Sequence, residues 1–144
     1  MPKNIIVCSD GTSNTKKTQT NVHQFYEVLR KRRGNVCFYD QGVGSFLGDI
    51  AGKAFGTGVD ENIRDCYEFI VDHYAPGDRV FLFGFSRGAF TVRSLANVVE
   101  LVGLVPRNHD KTFVKKKRGR GGYRRKIQTV QTEQAFEVYR SNRK

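Results

Sequence analysis

Three short apolar runs, separated by stretches of helical spacing, restrict the possible folds of this chain more than any other feature. "NIIVC" at 4–8, "NVCFY" at 35–39 and "RVFLFG" at 79–84 are continuous, rich in branched and aromatic residues, and followed by glycine or small polar residues. Such runs predict strands buried on both faces. Between the first two, Val22, Phe25 and Leu29 share one helical face, with Asn21 placed to cap the start and Gly34 to end it. Between the second and third, Ile63, Tyr67, Ile70 and Tyr74 recur at helical intervals and stop at the turn Pro76-Gly77-Asp78. A third helix follows the last run, with Ala89, Val92, Ala96, Val99 and Gly103 on one stripe. Alternation of buried strands with helices predicts the α/β class, a parallel sheet covered by helices on both faces in three layers.

Charge divides the chain. The net charge of +11 is concentrated in one part: residues 1–106 hold 12 Lys/Arg against 11 Asp/Glu, whereas 107–144 hold 13 against 3. The expected organisation is therefore an α/β portion over 1–106 and a basic C-terminal tail over 107–144, carrying "KKKRGRGGYRRK" and a short helix at 132–140 with Ala135, Phe136 and Tyr139 on one side. No run approaches the roughly 20 apolar residues of a spanning helix, and the amino terminus enters a strand-like run rather than a leader's apolar core, so the chain reads as soluble and unprocessed, either cytoplasmic or exported without a signal peptide. Cys8, Cys37 and Cys66 are odd in number and far apart, which suits buried reduced thiols rather than a disulfide framework or a metal knuckle. The glycine-rich stretch 42–58 has neither dinucleotide-loop nor P-loop spacing, so no nucleotide cofactor is expected, and with the cysteines read as above no metal either; the stretch reads as a long loop or an apolar flap.

In parallel sheets, reactive groups collect beyond the carboxyl ends of the strands. Asp10-Gly11-Thr12, Asp40-Gln41-Gly42 and Phe85-Ser86-Arg87 all fall there. Gly84-Phe85-Ser86-Arg87-Gly88 fits G-x-S-x-G, and it lies between a central strand and a helix, the setting in which a serine is presented as a nucleophile. The alternative is a serine that merely caps the helix. If Ser86 is a nucleophile, the Arg87 amide at the helix start faces the developing oxyanion, and a Gly11 or Thr12 amide is a candidate second donor with Asp10 positioning the loop. Otherwise Asp10 and Thr12 simply satisfy local turn groups. The Arg87 side chain binds either an internal carboxylate or a substrate phosphate. "CSDGT" falls short of an aspartyl phosphotransfer motif because Cys8 stands where the nucleophilic aspartate is required.

The runs "NIIVCSDGTSN" (4–14), "TNV" (20–22), "YDQGVG" (39–44), "AFGTG" (54–58) and "GDRVFLFGFSRGAFTVRSLANVV" (77–99) resemble, in that order, the α/β-hydrolases that include phospholipase effectors of bacterial type VI secretion systems. The likeness covers roughly the first hundred residues, with an echo in "QAFEVYRSNRK" at 134–144. It implies a serine esterase or lipase acting on a small-molecule or lipid ester, with Ser86 as nucleophile beside the Asp10-Gly11 loop. The triad of such enzymes runs Ser, Asp or Glu, then His. Of the 58 residues after Ser86, the sole histidine is His109, beside Asp110, and no strand is legible among them. His109 is either the general base or a solvated loop histidine, and three readings stay open: a hydrolase whose acid and base lie in sequence absent from this chain or come from another subunit, an inactive truncated relic, or a basic module meeting an anionic membrane, with nucleic acid the weaker partner because no reading motif is present. An incomplete parallel sheet also predicts self-association through its open edge.

Overall fold

The computed structural model describes residues 1–11, 20–42, 54–105, 111–118 and 122–142. Its elements are β1 (Asn4–Ser9), α1 (Asn21–Leu29), β2 (Asn35–Asp40), α2 (Ala54–His73), β3 (Arg79–Gly84), α3 (Arg87–Val102), β4 (Lys111–Arg118), β5 (Gly122–Thr129) and α4 (Val130–Ser141). The first three strands form a parallel sheet in the order β2-β1-β3, with Ile6 opposite both Cys37 and Phe81.

β1 takes the centre because Ile5, Ile6, Val7 and Cys8 are apolar toward both faces, and all four are buried. Alternation sends Ile6 and Cys8 to one side, where they meet Val22 of α1 with Tyr26 and Leu29 behind it. Ile5 and Val7 face the other side and join Ile63, Tyr67 and Ile70 of α2, Val92, Leu95 and Val98 of α3, and Phe136 and Tyr139 of α4. The architecture is thus a three-layer α/β/α arrangement, heavier on the α2–α3–α4 side. Each fully enclosed Ile, Leu or Val contributes about 1.5–3 kcal/mol relative to an exposed one, so this side carries most of the stability. Tyr67 also donates its hydroxyl to the Gly103 carbonyl at 2.8 Å and accepts from the Val105 amide at 3.1 Å, fixing the chain as it leaves α3.

Several expectations change in the structure. Of the three parallel strands only β1 is buried on both faces: β2 is half-buried throughout, and β3 is exposed over Arg79, Val80 and Phe81. The strand before Ser86 is therefore an edge of the described sheet and not its centre. A continuous apolar run cannot separate a strand with two neighbours from one with a single neighbour. Thr20 rather than Asn21 caps α1, its hydroxyl accepting the His23 amide at 3.1 Å, and Gly34 (φ +84°) shapes the turn into β2 instead of ending the helix. α2 starts at Ala54, inside the glycine-rich stretch, while residues 43–53 of the expected flap lie outside the described residues. The buried stripe of α3 runs through Gly88, Val92, Leu95 and Val98, rotated from the expected one so that Ala96 is exposed.

The basic stretch contributes two strands that were not legible in the sequence. β4 and β5 pair antiparallel from Lys111 opposite Thr129 to Arg118 opposite Gly122. Their sequences lack the apolar alternation by which a half-buried strand is recognised, so the hairpin left no signal. α4 starts at Val130, slightly ahead of the expected helix, and carries Ala135, Phe136 and Tyr139 into the interior, with Arg140 at 3.7 Å from the Asp60 carboxylate. Among the described residues no helix is long and apolar enough to cross a membrane.

Candidate active site

β3 reverses into α3 within two residues, and the reversal is concentrated at Ser86. Its backbone has φ 54° and ψ −123°, the one positive φ outside glycine among the described residues. A non-glycine residue in such a region costs on the order of 1–3 kcal/mol, so the surrounding structure must enforce it. The enforcement is visible in the hydrogen bonds. The Phe85 amide donates to the Ser9 carbonyl at 3.1 Å, prolonging the pairing with β1 one residue past β3, and Gly88 and Ala89 then donate to the carbonyls of Phe85 and Ser86 at 2.9 and 3.0 Å. The Ser86 side chain is exposed and makes no capping hydrogen bond. At the N-cap position, its hydroxyl is thus not engaged by the first amides of α3.

The two motif glycines are demanded by backbone on either side. A Cβ at Gly84 would lie 2.5 Å from the Gly88 carbonyl oxygen and 2.6 Å from Ala89 Cα, so α3 could not start directly over the end of β3. A Cβ at Gly88 would lie 2.0 Å from the Ser9 carbonyl oxygen. The first turn of α3 thus rests against the end of β1. Arg87, half-buried, is the first residue of α3, where unsatisfied amides and the positive end of the helix dipole converge beside Ser86.

Asp10 stands at the end of β1 and is fully buried. Its carboxylate accepts from the Gly11 amide at 2.9 Å, from the Tyr39 hydroxyl at 2.7 Å and from the Thr20 hydroxyl. A buried carboxylate is tolerated only when its lone pairs are met in this way. Burial first, and the bond to Asp10 second, push the Tyr39 hydroxyl above its ordinary range, which keeps it a donor. Beside it, Asp40 accepts from the Ser9 hydroxyl at 2.7 Å and from the Gly42 amide at 3.0 Å. These acceptors tie the ends of β1 and β2 to the start of α1, directly below the serine bend. Thr20, Tyr39 and Ser9 were not singled out from the sequence, whereas Asp40 was placed there only as part of a loop beyond a strand end. The available signal was the run of polar residues that ends two apolar strands, Ser9-Asp10 and Tyr39-Asp40.

Of the expected site residues, Ser86, Arg87, Asp10 and Gly11 meet at this end of the sheet, joined through the contacts of Ser9 with Phe85 and Gly88. The Gly11 amide is engaged by the Asp10 carboxylate, the local-turn arrangement, rather than offered to an oxyanion. Thr12 and His109 lie outside the described residues. His23 stacks edge-on against Tyr39 at 5.1 Å, and His73 at the far end of α2 bonds the Phe69 carbonyl at 2.8 Å. Cys8 and Cys66 are buried and Cys37 half-buried, all free. Burial pushes the Cys8 thiol up to about 12, with smaller contributions from Cys37 and Asp10, and raises Cys66 well above its ordinary range, so neither is a thiolate nucleophile at neutral pH. Among the described residues no group of three or more His, Cys, Asp and Glu could hold a metal ion.

Residues 3–144 match the family described as T6SS, Phospholipase effector Tle1-like, catalytic domain. The chain is also 35% identical over 123 residues to the uncharacterized protein YEL023C of Saccharomyces cerevisiae, an alignment covering 72% of this chain and 18% of that protein. It therefore spans less than a fifth of the length of this relative. No solved structure matches the chain.

Proposed function

Because the chain belongs to the Tle1-like family of type VI secretion phospholipase effector catalytic domains, we propose that it is a serine hydrolase of carboxylic esters in lipids, with Ser86 as nucleophile. The observation that carries the reading is the conformation of Ser86: a serine held at φ 54° on an outward bend, capping nothing, spends stability on presentation. In the proposed reaction the Ser86 hydroxyl attacks the ester carbonyl carbon while its proton passes to a general base. The oxyanion of the tetrahedral intermediate faces the first amides of α3, beginning with Arg87. Collapse breaks the bond to the alcohol, which leaves with the proton, and water then cleaves the acyl-serine to release the acid and restore the hydroxyl.

Asp10 acts at one remove, holding the β1 loop against the bend through its bonds to Gly11, Thr20 and Tyr39. The base is an imidazole drawn from one of two sources: His109 of this chain, or a histidine from further sequence of the kind that the much longer yeast relative contains. The reading is tested by hydrolysis of a short-chain p-nitrophenyl ester and by fatty-acid release from phosphatidylcholine. Ser86→Ala should lower kcat by roughly three orders of magnitude or more. Equal turnover in both proteins would contradict it, and a folded parent without turnover would exclude His109 as the base.

A further inference from the structure

α1 turns an apolar stripe outward as well as inward. Val22, Tyr26 and Leu29 pack on the sheet, and along one flank of the same helix Phe25 is 52% and Val28 56% exposed. Single exposed apolar residues are ordinary, but these continue onto the sheet. The Phe25 ring lies 5.2 Å from that of Phe83. Phe81 and Phe85, two residues to either side of Phe83 and so toward the same face, are also exposed. β3 has no further strand beyond it among the described residues, so the apolar strip runs along the open side of the sheet up to the residue before Ser86.

The strip is bordered by cations. Arg30, Lys31, Arg32 and Arg33 follow α1 in sequence and are all exposed, and among the described residues the carboxylate paired with this run is Glu27, through Arg30. Arg32 and Arg33 line, with Phe25 and Val28, a groove of about 910 Å³. At the same amino-terminal end of the sheet, on β3, the Arg79 guanidinium lies 5.9 Å from the Phe81 ring centre. Aromatic and branched side chains beside unpaired arginines are the chemistry that enters the boundary between headgroups and acyl chains of an anionic bilayer.

We propose that Phe25, Val28, Phe81 and Phe85, with Arg32 and Arg33, dock this protein on an anionic lipid surface. The apolar side chains insert below the phosphates and the two arginines bind them. The choice of a lipid occupant rests in part on the proposed lipid-ester activity, and the surface places the strip's end next to Ser86. Docking does not require turnover, so the two readings fail separately.

The test uses the full chain carrying Ser86→Ala, sedimented with phosphatidylcholine vesicles that either contain or lack phosphatidylglycerol. Binding is expected to the anionic vesicles and to weaken as salt rises. Phe25→Ser with Val28→Ser, and separately Arg32→Glu with Arg33→Glu, should each weaken it about tenfold or more, with far-ultraviolet circular dichroism unchanged. The arginine pair lies in an exposed turn, so it carries the test even if the apolar pair perturbs folding. Replacing Lys115 and Lys116 by glutamine in the basic hairpin should leave most of the binding. Undiminished binding by both surface variants, equal binding to neutral vesicles, no binding to anionic vesicles, or a loss confined to the hairpin variant would overturn the proposal.

Discussion

Ser86 and the two glycines around it show opposite uses of a single position. At Ser86 the protein keeps a side chain where a glycine would be more comfortable; at Gly88 it keeps a glycine because the Ser9 carbonyl would lie 2.0 Å from any Cβ. Ser86→Gly should therefore relieve backbone strain and, after the larger chain entropy of glycine is subtracted, raise stability by roughly 1 kcal/mol while abolishing turnover. Thermal melts and ester hydrolysis measured on the same two proteins check this, and a variant no more stable than its parent would show that Ser86 carries no strain. The spacing of the motif was legible because its five residues are contiguous. The reason for Gly88 was not, because the carbonyl it must avoid belongs to Ser9, far upstream.

Among the elements, the entry to β3 is clasped to the start of β1. Asp78 accepts from the Lys3 amide and the Ala75 amide, both at 2.8 Å, and pairs with the Lys3 ammonium; the Arg79 amide returns a bond to the Lys3 carbonyl at 3.0 Å. Chiefly through the Lys3 ammonium, then the Lys3 amide, the Asp78 carboxyl is lowered from 3.8 to about 2. A depressed carboxyl contributes stability that is complete above its unfolded value and is lost as pH falls through its folded one. Urea melts should therefore show a component that disappears between roughly pH 4 and pH 2 in the parent and is missing in Asp78→Asn. Identical pH profiles would remove the clasp from the account. At this scale the sequence announced strands and helices wherever an apolar period was strong, as in α2 through Ile63, Tyr67 and Ile70. It was silent where partners decide, as in the β4–β5 pairing of a lysine- and arginine-rich run, and it misplaced the α3 stripe because Ala89 and Ala96 weigh as much as Leu95 in a pattern but bury far less surface.

For the molecule as a whole, the order of elements was enough to derive a parallel three-layer sheet, but not which strand would lie at its edge. That question depends on what else pairs with β3. Val80 and Phe81, 38% and 39% exposed, stand on this open edge, and unpaired edges of apolar strands associate. Sedimentation velocity should accordingly show association that grows with concentration, and Val80→Lys, a charge on the edge strand, should shift the protein toward monomer. A dilute, concentration-independent monomer would contradict it. The central claim, that this chain presents Ser86 as an activated nucleophile, is tested most directly by a fluorophosphonate probe with the modified peptide mapped by mass spectrometry. The account predicts covalent phosphonylation at Ser86 that Ser86→Ala eliminates. A folded protein that stays unlabelled, or that is labelled at another residue, would contradict it.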